Sequence, residues 1–169
     1  MIRNATLGDS VRIAEIYNHY VANTLVTFEY ELVSADEIVR RMVNIEAMGM
    51  PWTVWEENGT VAGYAYAGSW RERAAFLHTV ESAVYLAHDH VGQGIGSQLY
   101  RDLLDRLRTK PIKIVVGMVS LPNPQSARLH ERLGFTKVGE FSEVGRKFGQ
   151  WIDVGAWQLK IDGRGVPEN

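Results

Sequence analysis

Two features of this 169-residue sequence could carry chemistry: a carboxylate within an apolar run, and a glycine-rich segment ahead of a predicted helix. Glu81 lies in the middle of residues 75–87, whose apolar character favours a buried or cleft-facing side chain. A partly desolvated carboxylate has a raised pKa, which suits it to remove a proton from another group. An exposed glutamate on an edge strand would explain the same pattern equally well.

The glycine-rich segment, residues 90–97, has the sequence HVGQGIGS and lies between a predicted strand and an amphipathic helix. Such a turn frees backbone N–H groups, and the helix N-terminus adds partial positive charge. The combination suits a pyrophosphate, although three glycines also occur in ordinary tight turns. The segment lacks the Lys-Ser/Thr ending of a P-loop and does not follow the first strand, as it would in a dinucleotide-binding fold.

The elements that must position these residues follow from periodicity and caps. Residues 2–6 form a predicted strand, and Thr6 with Asp9 resembles a capping arrangement before the helix that follows. Ser34 and Glu37 predict a capping box for a second helix over residues 34–47. Asn58-Gly59 predicts a hairpin between strands 51–57 and 60–70. Residues 75–87 then form a strand, followed by a helix that carries Ile95, Leu99, Leu103 and Leu107 on one face.

The C-terminal third predicts a strand over residues 112–119, a helix between Asn123 and Gly134, and a last strand pair, 135–141 and 151–161. A loop containing Gly145, Lys147, Phe148 and Gly149 joins that pair. The predicted order is β-α-α-β-β-β-α-β-α-β-β, in a single domain over residues 1–161 with a flexible tail at 162–169. We expect one mixed α/β sheet with helices on its faces.

Composition limits the partners. The formal charge of −2 argues against a broad surface for nucleic acid or anionic membrane, so we expect a small-molecule partner. The absence of cysteine excludes disulfides, thiolate zinc sites and thiol catalysis. His88 and His90 have no Cys or carboxylate at ligand spacing, so we expect no metal. No signal peptide or long apolar stretch is recognisable, which predicts a cytoplasmic location.

Residues 91–96 (VGQGIG) resemble the cofactor loop of the GCN5-related N-acetyltransferase (GNAT) superfamily, Gln/Arg-x-x-Gly-x-Gly/Ala, and Asn123 with Gly134-Phe135 matches the superfamily's next helix. The departure is Val91, where Gln or Arg is usual; since backbone amides would hold the pyrophosphate, we expect weaker rather than lost binding. The resemblance implies the GNAT fold of the α/β (α+β) class. That fold has a mixed, mostly antiparallel sheet of about seven strands, four helices on its faces, and acetyl-CoA as cosubstrate.

A more specific resemblance is to the phosphinothricin and methionine sulfoximine N-acetyltransferases, and it covers nearly the whole chain. It rests on the segments IYNHYV (16–21), TFE (27–29), GYA (63–65), TVES (79–82), LHE (129–131) and VGRKFG (144–149). It implies acetylation of the α-amine of a small glutamate-like amino acid, a role in herbicide or antibiotic resistance, and a homodimer. The alternatives are another amine acceptor (a peptide N-terminus, a polyamine or an aminoglycoside) or a non-catalytic acyl-CoA-binding module.

The same resemblance implies the site residues. Glu81 is the base, directly or through water, and His130 the acid for the leaving thiolate; a helical His hydrogen-bonded to a core carbonyl is the other interpretation. The implied cofactor-binding residues are Val84, Tyr85, Leu86, Gly92, Gln93, Gly94, Ile95, Gly96, Ser97 and Asn123, with a backbone N–H near Tyr85 or Leu86 as oxyanion donor. The implied substrate-binding residues are Phe28, Glu29, Arg71, Glu72, Arg73, Thr79, Lys147 and Phe148. Arg71 and Arg73 would clamp an anionic substrate, unless they lie in a solvated loop.

Overall fold

The computed structural model describes residues 1–167. Within these residues, four α-helices and seven β-strands follow one another in the predicted order. Their bounds are β1 Ile2–Asn4, α1 Ser10–Asn23, α2 Ala35–Ala47, β2 Trp52–Glu57, β3 Thr60–Ser69, β4 Thr79–Leu86, α3 Ile95–Arg108, β5 Ile114–Leu121, α4 Pro124–Arg132, β6 Thr136–Lys147 and β7 Gln150–Lys160.

Local sequence signals explain where several elements begin. The Ser34 hydroxyl accepts a hydrogen bond from the Glu37 N–H (3.1 Å), so Ser34 is the N-cap of α2 as predicted. Thr6 and Asp9 form the predicted capping box, which closes a 3-10 turn immediately before α1. The Asn58-Gly59 turn has positive φ at both residues (51° and 76°), the geometry of the tightest hairpins. These three predictions are confirmed.

The strands form one sheet in the order β1-β2-β3-β4-β5-β7-β6. Every neighbouring pair is antiparallel except β4–β5, which is parallel. Helices α1 and α2 cover one face with a core that includes Ile13, Ile16 and Ile38. Helices α3 and α4 cover the other face, over a core that includes Leu99, Leu103 and Trp157. The predicted mixed, mostly antiparallel seven-stranded sheet is confirmed.

The parallel pair β4–β5 is short, and this creates an opening in the sheet. Backbone pairing runs only from Thr79–Ile114 to Glu81–Val116, whereas β4 continues to Leu86 beside β3. Beyond Glu81 the two strands therefore separate. The predicted start of β4 at residue 75 is wrong: Ala74–Phe76 form a 3-10 turn, because β3 ends opposite Val80 and leaves the earlier residues without a strand to pair with.

The predicted C-terminal strand pair is present but longer than expected. Strand β6 continues to Lys147, so Gly145 and Lys147 lie in the strand and not in the connecting loop. The ladder shifts register between Phe141 and Gly145, where Glu143 has a φ of 52° and its N–H donates to the Asp153 carboxylate (2.7 Å). A side chain thus replaces a backbone partner at this bulge, and the strand resumes after it.

The predicted tail, residues 162–169, follows β7 directly. The Gly163 and Arg164 N–H groups donate to the carbonyls of Ile112 and Arg108 (3.1 and 3.0 Å). Residues 168–169 lie outside the described residues, so the flexibility of the tail and the single-domain boundary stay predictions. No helix within residues 1–167 has the length and apolar character required to span a bilayer.

Candidate active site

A cleft lies where β4 and β5 separate, and it has two adjoining compartments. The Glu81 compartment, about 280 Å³, is lined by Tyr17, Val26, Thr27, Phe28, Glu29, Tyr66, Glu81, Ser82, Ala83, Val84, Tyr85, Tyr100, Met118, Val119, Ser120, Asn123, Ser126 and His130. The Gly96 compartment, about 350 Å³, is lined by His19, Tyr20, Val26, Val84, Tyr85, Leu86, His88, Val91, Gly96, Asn123, Gln125, Ser126 and Leu129. Five residues line both, so the two compartments are continuous.

Glu81 is the titratable carboxylate at the base of the first compartment. It is the last β4 residue paired with β5, so its side chain lies at the point where the sheet opens. Burial raises its pKa above the ordinary value of 4.5, and the positive charge of Arg71 opposes that shift. Its carboxylate makes no hydrogen bond or ion pair within residues 1–167. It is therefore free to accept a proton from a molecule in the cleft.

Tyrosines form the wall of the Glu81 compartment on the α1 side. Tyr17 packs edge-on against Tyr85 (ring centroids 5.2 Å apart), and Tyr64 stacks on Tyr85 at 5.4 Å. Burial raises the pKa of Tyr66 and of Tyr85, so both hydroxyls stay protonated at neutral pH. These rings form an apolar wall of the compartment.

The segment 24–33, between α1 and α2, closes the compartment on another side. Its end is fixed by Asn18, whose side chain bonds both the N–H and the C=O of Val33 (2.8 Å each). Its middle is fixed by Lys147, whose Nζ donates to the carbonyl and the hydroxyl of Thr27 (3.1 Å each). Glu29 pairs with Arg41 at 2.7 Å. These contacts fix the middle and the end of segment 24–33 beside the cleft.

The Gly96 compartment ends at the N-terminus of α3. Gly92 and Gly94 have positive φ values of 87° and 80°, and Gly94 is the N-cap, so the chain turns sharply into the helix. A Cβ at Gly96 would lie 3.5 Å from the Leu86 side chain, which shows how closely this helix approaches β4. The first amides of α3 need acceptors, and an anionic group at this end could provide them.

His130 lies deep in the wall of the Glu81 compartment and is only 5% exposed. Its Nδ1 lies 2.8 Å from the Ser126 carbonyl oxygen, and its Nε2 lies 3.1 Å from the Tyr100 hydroxyl. The Tyr100 hydroxyl in turn lies 2.6 Å from Ser82 Oγ. Burial lowers the pKa of His130, with the Ser126 carbonyl acting in the opposite direction.

Comparison with known proteins agrees with this geometry. Residues 2–155 match the family model for the acetyltransferase (GNAT) domain. The chain belongs to the GNAT acetyltransferase family. It is 43% identical to a phosphinothricin N-acetyltransferase of Streptomyces viridochromogenes, over 95% of this chain and 87% of that one. It is 38% identical to an L-methionine sulfoximine/L-methionine sulfone acetyltransferase of Salmonella typhimurium, over 99% and 98%.

A solved GNAT structure from Salmonella typhimurium, which contains its cofactor acetyl-CoA, has a TM-score of 0.95 to this chain at 38% identity, covering 99% of this chain and 97% of that one. The predicted fold, the resemblance to these two groups of enzymes and the assignment as an N-acetyltransferase are therefore confirmed. The roles of individual site residues are not tested by these similarities and stay predictions.

The GNAT fold brings nine of the twenty predicted site residues to one cleft, His130 among them. Phe28, Glu29 and Glu81 line its first compartment, and Leu86 and Gly96 line its second. Val84, Tyr85 and Asn123 line both. Val91, the departure from the family pattern, lines the second compartment as well.

Within the glycine-rich loop, the side chains contribute less than the backbone. The Gln93 side chain donates to the Asp89 carbonyl (3.0 Å), which bridges the loop to the preceding 3-10 turn. The Ile95 side chain is buried in the core at 4% exposure. Gly92, Gln93, Gly94, Ile95 and Ser97 do not line either compartment within the described residues, so what they offer a ligand is the amides of the helix N-terminus.

Six predicted substrate residues lie outside the Glu81 compartment, and four of them lie in the β3–β4 loop or at the start of β4. Arg71, Glu72 and Arg73 are exposed in the β3–β4 loop, where they line a separate open groove with Trp70 and Phe76. Arg71 stacks on Trp70 at 4.9 Å, and among these three only its charge affects the pKa of Glu81. Thr79 shares a face with Glu81 but lies two residues before the point where β4 and β5 separate.

Lys147 and Phe148 behave differently from each other. Lys147 is 1% exposed and reaches the cleft only through Thr27, while burial lowers its pKa and Glu29 opposes the shift. Phe148 is 56% exposed at the tip of the β6–β7 hairpin. The fold therefore places Lys147 behind the substrate wall and Phe148 on the surface.

Several cleft residues have no counterpart among the predicted site residues: Ser82, Tyr100, Met118, Ser120 and Ser126. Tyr100 follows Leu99 in the apolar stripe of α3, so its position alone indicates core packing. Its hydroxyl was the available signal, because a buried tyrosine hydroxyl usually requires a partner.

The pair His88 and His90 forms no metal site in the part of the chain that the structure describes, where no group of three His, Cys, Asp or Glu is suitably placed. His90 lies 2.8 Å from the Asp89 carboxylate and 3.3 Å from that of Glu57. His88 stacks on His19 at 5.0 Å. That the enzyme needs no metal stays a prediction.

Proposed function

We propose that this GNAT enzyme transfers the acetyl group of acetyl-CoA to the α-amine of a small glutamate-like amino acid, such as phosphinothricin, methionine sulfoximine or methionine sulfone. The observation that carries this proposal is the free, largely buried Glu81 carboxylate. It faces a small compartment that is continuous with the glycine-rich N-terminus of α3. The relatives named for these substrates, which match nearly the whole chain, support the substrate class.

Glu81 acts as the general base. An amino-acid amine is mostly protonated at neutral pH and must lose a proton before it can attack a thioester. A carboxylate with a raised pKa holds that proton better than an exposed one, and the missing partner leaves its oxygens free. The proton then passes to solvent through the open side of the cleft.

The residues present fit acetyl-CoA, which supplies the acetyl group as a thioester. From Ser82 to Leu86, β4 has no strand on the side that faced β5, so its backbone groups can bond an extended pantetheine chain as an added strand would. The amides of residues 92–97 at the start of α3 suit the pyrophosphate. A backbone N–H of Tyr85 or Leu86 stabilises negative charge on the thioester oxygen.

The Glu81 compartment limits the acceptor to a small molecule. Its volume of about 280 Å³ lies at the low end for ligand sites, and segment 24–33 closes one side. Glu29 is paired with Arg41, which reduces the negative charge that a polyamine or aminoglycoside would need. Arg71, whose charge acts on Glu81, is the candidate partner for the substrate's anionic groups.

We further propose that the chain forms a homodimer through the β6–β7 hairpin. Val144, Phe148 and Trp151 are 59%, 56% and 61% exposed there. Tyr30 of segment 24–33 donates to the Arg146 carbonyl and is itself 71% exposed, so the apolar surface continues onto that segment. Contiguous apolar surface of this kind marks interaction sites. Light scattering should give the mass of a dimer, and Trp151→Glu but not Val11→Glu on α1 should give a monomer.

The catalytic proposal is tested by thiol release from acetyl-CoA over a panel of amino-acid analogues, peptides, polyamines and aminoglycosides. We expect turnover with phosphinothricin or the methionine derivatives, and a loss of roughly 100- to 10,000-fold in kcat for Glu81→Gln with coenzyme A binding retained. Turnover only with another amine would refute the substrate class, and an active Glu81→Gln enzyme would refute the base. Coenzyme A binding with no turnover across the panel would indicate a non-catalytic module. The cytoplasmic location and a part in resistance stay predictions.

A further inference from the structure

A chain of buried polar groups crosses the cleft wall at the point where β4 and β5 separate. Ser82 Oγ lies 2.6 Å from the Tyr100 hydroxyl, which lies 3.1 Å from His130 Nε2. On the other side of the ring, His130 Nδ1 lies 2.8 Å from the Ser126 carbonyl oxygen. This chain joins β4, α3 and α4 through side chains alone.

The position of these groups in the sheet is specific. The last backbone pair between the two strands is Glu81–Val116, so Ser82 on β4 and Gly117 on β5 are the first residues without that pairing. Ser82 Oγ also lies 3.2 Å from the Val116 carbonyl oxygen. Side chains thus take over from the backbone ladder at the residue where it ends.

The His130 ring fills the space beside β5. A Cβ built at Gly117 would lie 2.3 Å from His130 Nε2 and 2.7 Å from its Cδ2, so the ring occupies room that only a glycine leaves. Aromatic rings surround it on its other sides: Tyr100, Phe135 and Trp157, with centroids 5.3, 5.1 and 6.0 Å away. The imidazole is therefore wedged between β5, α3 and α4 in close packing.

The proton positions follow from these neighbours. The Ser126 carbonyl can only accept, so Nδ1 carries a proton. In the neutral ring Nε2 then accepts from Tyr100, and the Tyr100 oxygen accepts the Ser82 proton across the shorter contact of 2.6 Å, rather than the Val116 carbonyl at 3.2 Å. A second proton on the ring would place a positive charge among three aromatic rings at 5% exposure, and that burial is what lowers the pKa of His130.

We propose that Tyr100 and His130 are positioning residues which, with Ser82, form a wedge that sets the separation of β4 and β5 and hence the width of the acetyl-CoA cleft. This rests on the proposed function. His130 then gives no proton to the departing thiolate. The amine nitrogen bonds to the acetyl carbon and the C–S bond breaks. Glu81 passes to solvent the two protons that the ammonium nitrogen loses, and solvent returns one of them to the thiolate sulfur to give the thiol. This assigns His130 a role different from the acid that the family resemblance implies.

Two substitutions at His130 separate the two roles. Glutamine can place an amide oxygen near the Nε2 position and accept from Tyr100, but it cannot donate a proton as an acid. Alanine removes the wedge. For His130→Gln we expect less than about a tenfold loss of kcat, an unchanged shape of the kcat–pH profile, and near-native coenzyme A affinity by calorimetry. For His130→Ala we expect coenzyme A affinity to fall roughly tenfold to a hundredfold. Loss of roughly 100-fold or more in kcat for His130→Gln, with coenzyme A affinity intact, would overturn the wedge.

A measurement on the wild-type protein needs neither variant to fold nor the amine substrate to be known. Histidine-labelled protein should show His130 as a neutral imidazole, protonated on Nδ1, between pH 5.5 and 9, with and without coenzyme A. A His130 ring that titrates within the pH range of activity would overturn the proposal. The protonation state of His130 and the affinity for coenzyme A are both measured without an amine substrate. If the proposed substrate class is wrong, these two measurements still test the wedge.

Discussion

Gly63→Ala should weaken coenzyme A binding, although Gly63 lies outside both compartments. Gly63 is on β3, directly opposite Leu86 on β4. A Cβ at this position would lie 2.4 Å from one methyl of Leu86 and 3.1 Å from the Tyr85 carbonyl oxygen. The other methyl of Leu86 lies 3.5 Å from the Cβ position of Gly96, so Leu86 fills the space between two glycines. The methyl group added at residue 63 would push the Leu86 side chain away from β3 and towards the start of α3.

The size of the effect follows from these distances. Carbon atoms in contact sit about 3.5–4.0 Å apart, so the Leu86 methyl must move by roughly 1–1.5 Å. Overpacking of this kind costs about 1–3 kcal/mol. If the displaced Leu86 side chain narrows the Gly96 compartment, coenzyme A can bind only by pushing that side chain back at this cost. Coenzyme A affinity would then be lower by roughly 5- to 150-fold, since 1.4 kcal/mol is a factor of ten.

Titration calorimetry with coenzyme A measures this directly, with thermal unfolding to confirm that the variant folds. Gly139→Ala is the matched control, because Gly139 is also a strand glycine and no atom lies within 4 Å of its Cβ position among the described residues. Native coenzyme A affinity in a folded Gly63→Ala protein would show that Leu86 relaxes elsewhere, and the steric reasoning would be wrong.

Three shorter expectations follow from other groups. Because the pKa of Glu81 is raised in the folded protein, the wild-type protein loses stability as pH rises through that pKa. Glu81→Gln should therefore unfold at a higher temperature than wild type at pH 8, and this difference in unfolding temperature should shrink towards pH 4. An equal difference at both pH values would contradict this. Asp9 is hydrogen-bonded by Arg3 and has a pKa of about 2, so Asp9→Asn should lower the free energy of unfolding by about 1–2 kcal/mol at pH 7. Denaturant unfolding between pH 7 and pH 3 should show the difference between the two proteins shrinking as pH falls. Asn123→Ala removes the α4 cap (3.0 Å to the Ser126 N–H) and should cost about 1 kcal/mol by denaturant unfolding and weaken coenzyme A binding; no change in either would separate Asn123 from both roles.

Sequence periodicity was sufficient for the element order because each helix and strand carries its own signal. Ser34 and Asn123 cap their helices with hydrogen bonds to residues three positions ahead, which are local features. The start of β4 is not local: it depends on where β3 ends at Ser69. The length of β6 depends on Asp153, a residue of another strand, bonding the backbone at the bulge.

The candidate site shows the same difference between features with a local sequence signal and features without one. Glu81 and the glycines of α3 could be found by type and spacing, and the family resemblance added Asn123 and His130. Tyr100 could not, because its meaning depends on a hydroxyl partner from β4 and a ring from α4, neither near it in sequence. Arg71 and Arg73 have equivalent positions in the sequence, yet of the two only Arg71 affects the pKa of Glu81, and the sequence carries no signal that separates them.

The substrate wall depends on the part of the molecule proposed for self-association. Lys147 is buried with its ammonium on both oxygens of Thr27, and Gly145 lies beside Phe28, within 3.8 Å of its ring at the Cβ position. The hairpin that carries these residues also carries the exposed Phe148 and Trp151. A partner that orders the hairpin would therefore order segment 24–33 as well. Substrate affinity, unlike coenzyme A affinity, should consequently fall when the dimer dissociates, because the hairpin contacts only the first of the two compartments through Thr27 and Phe28.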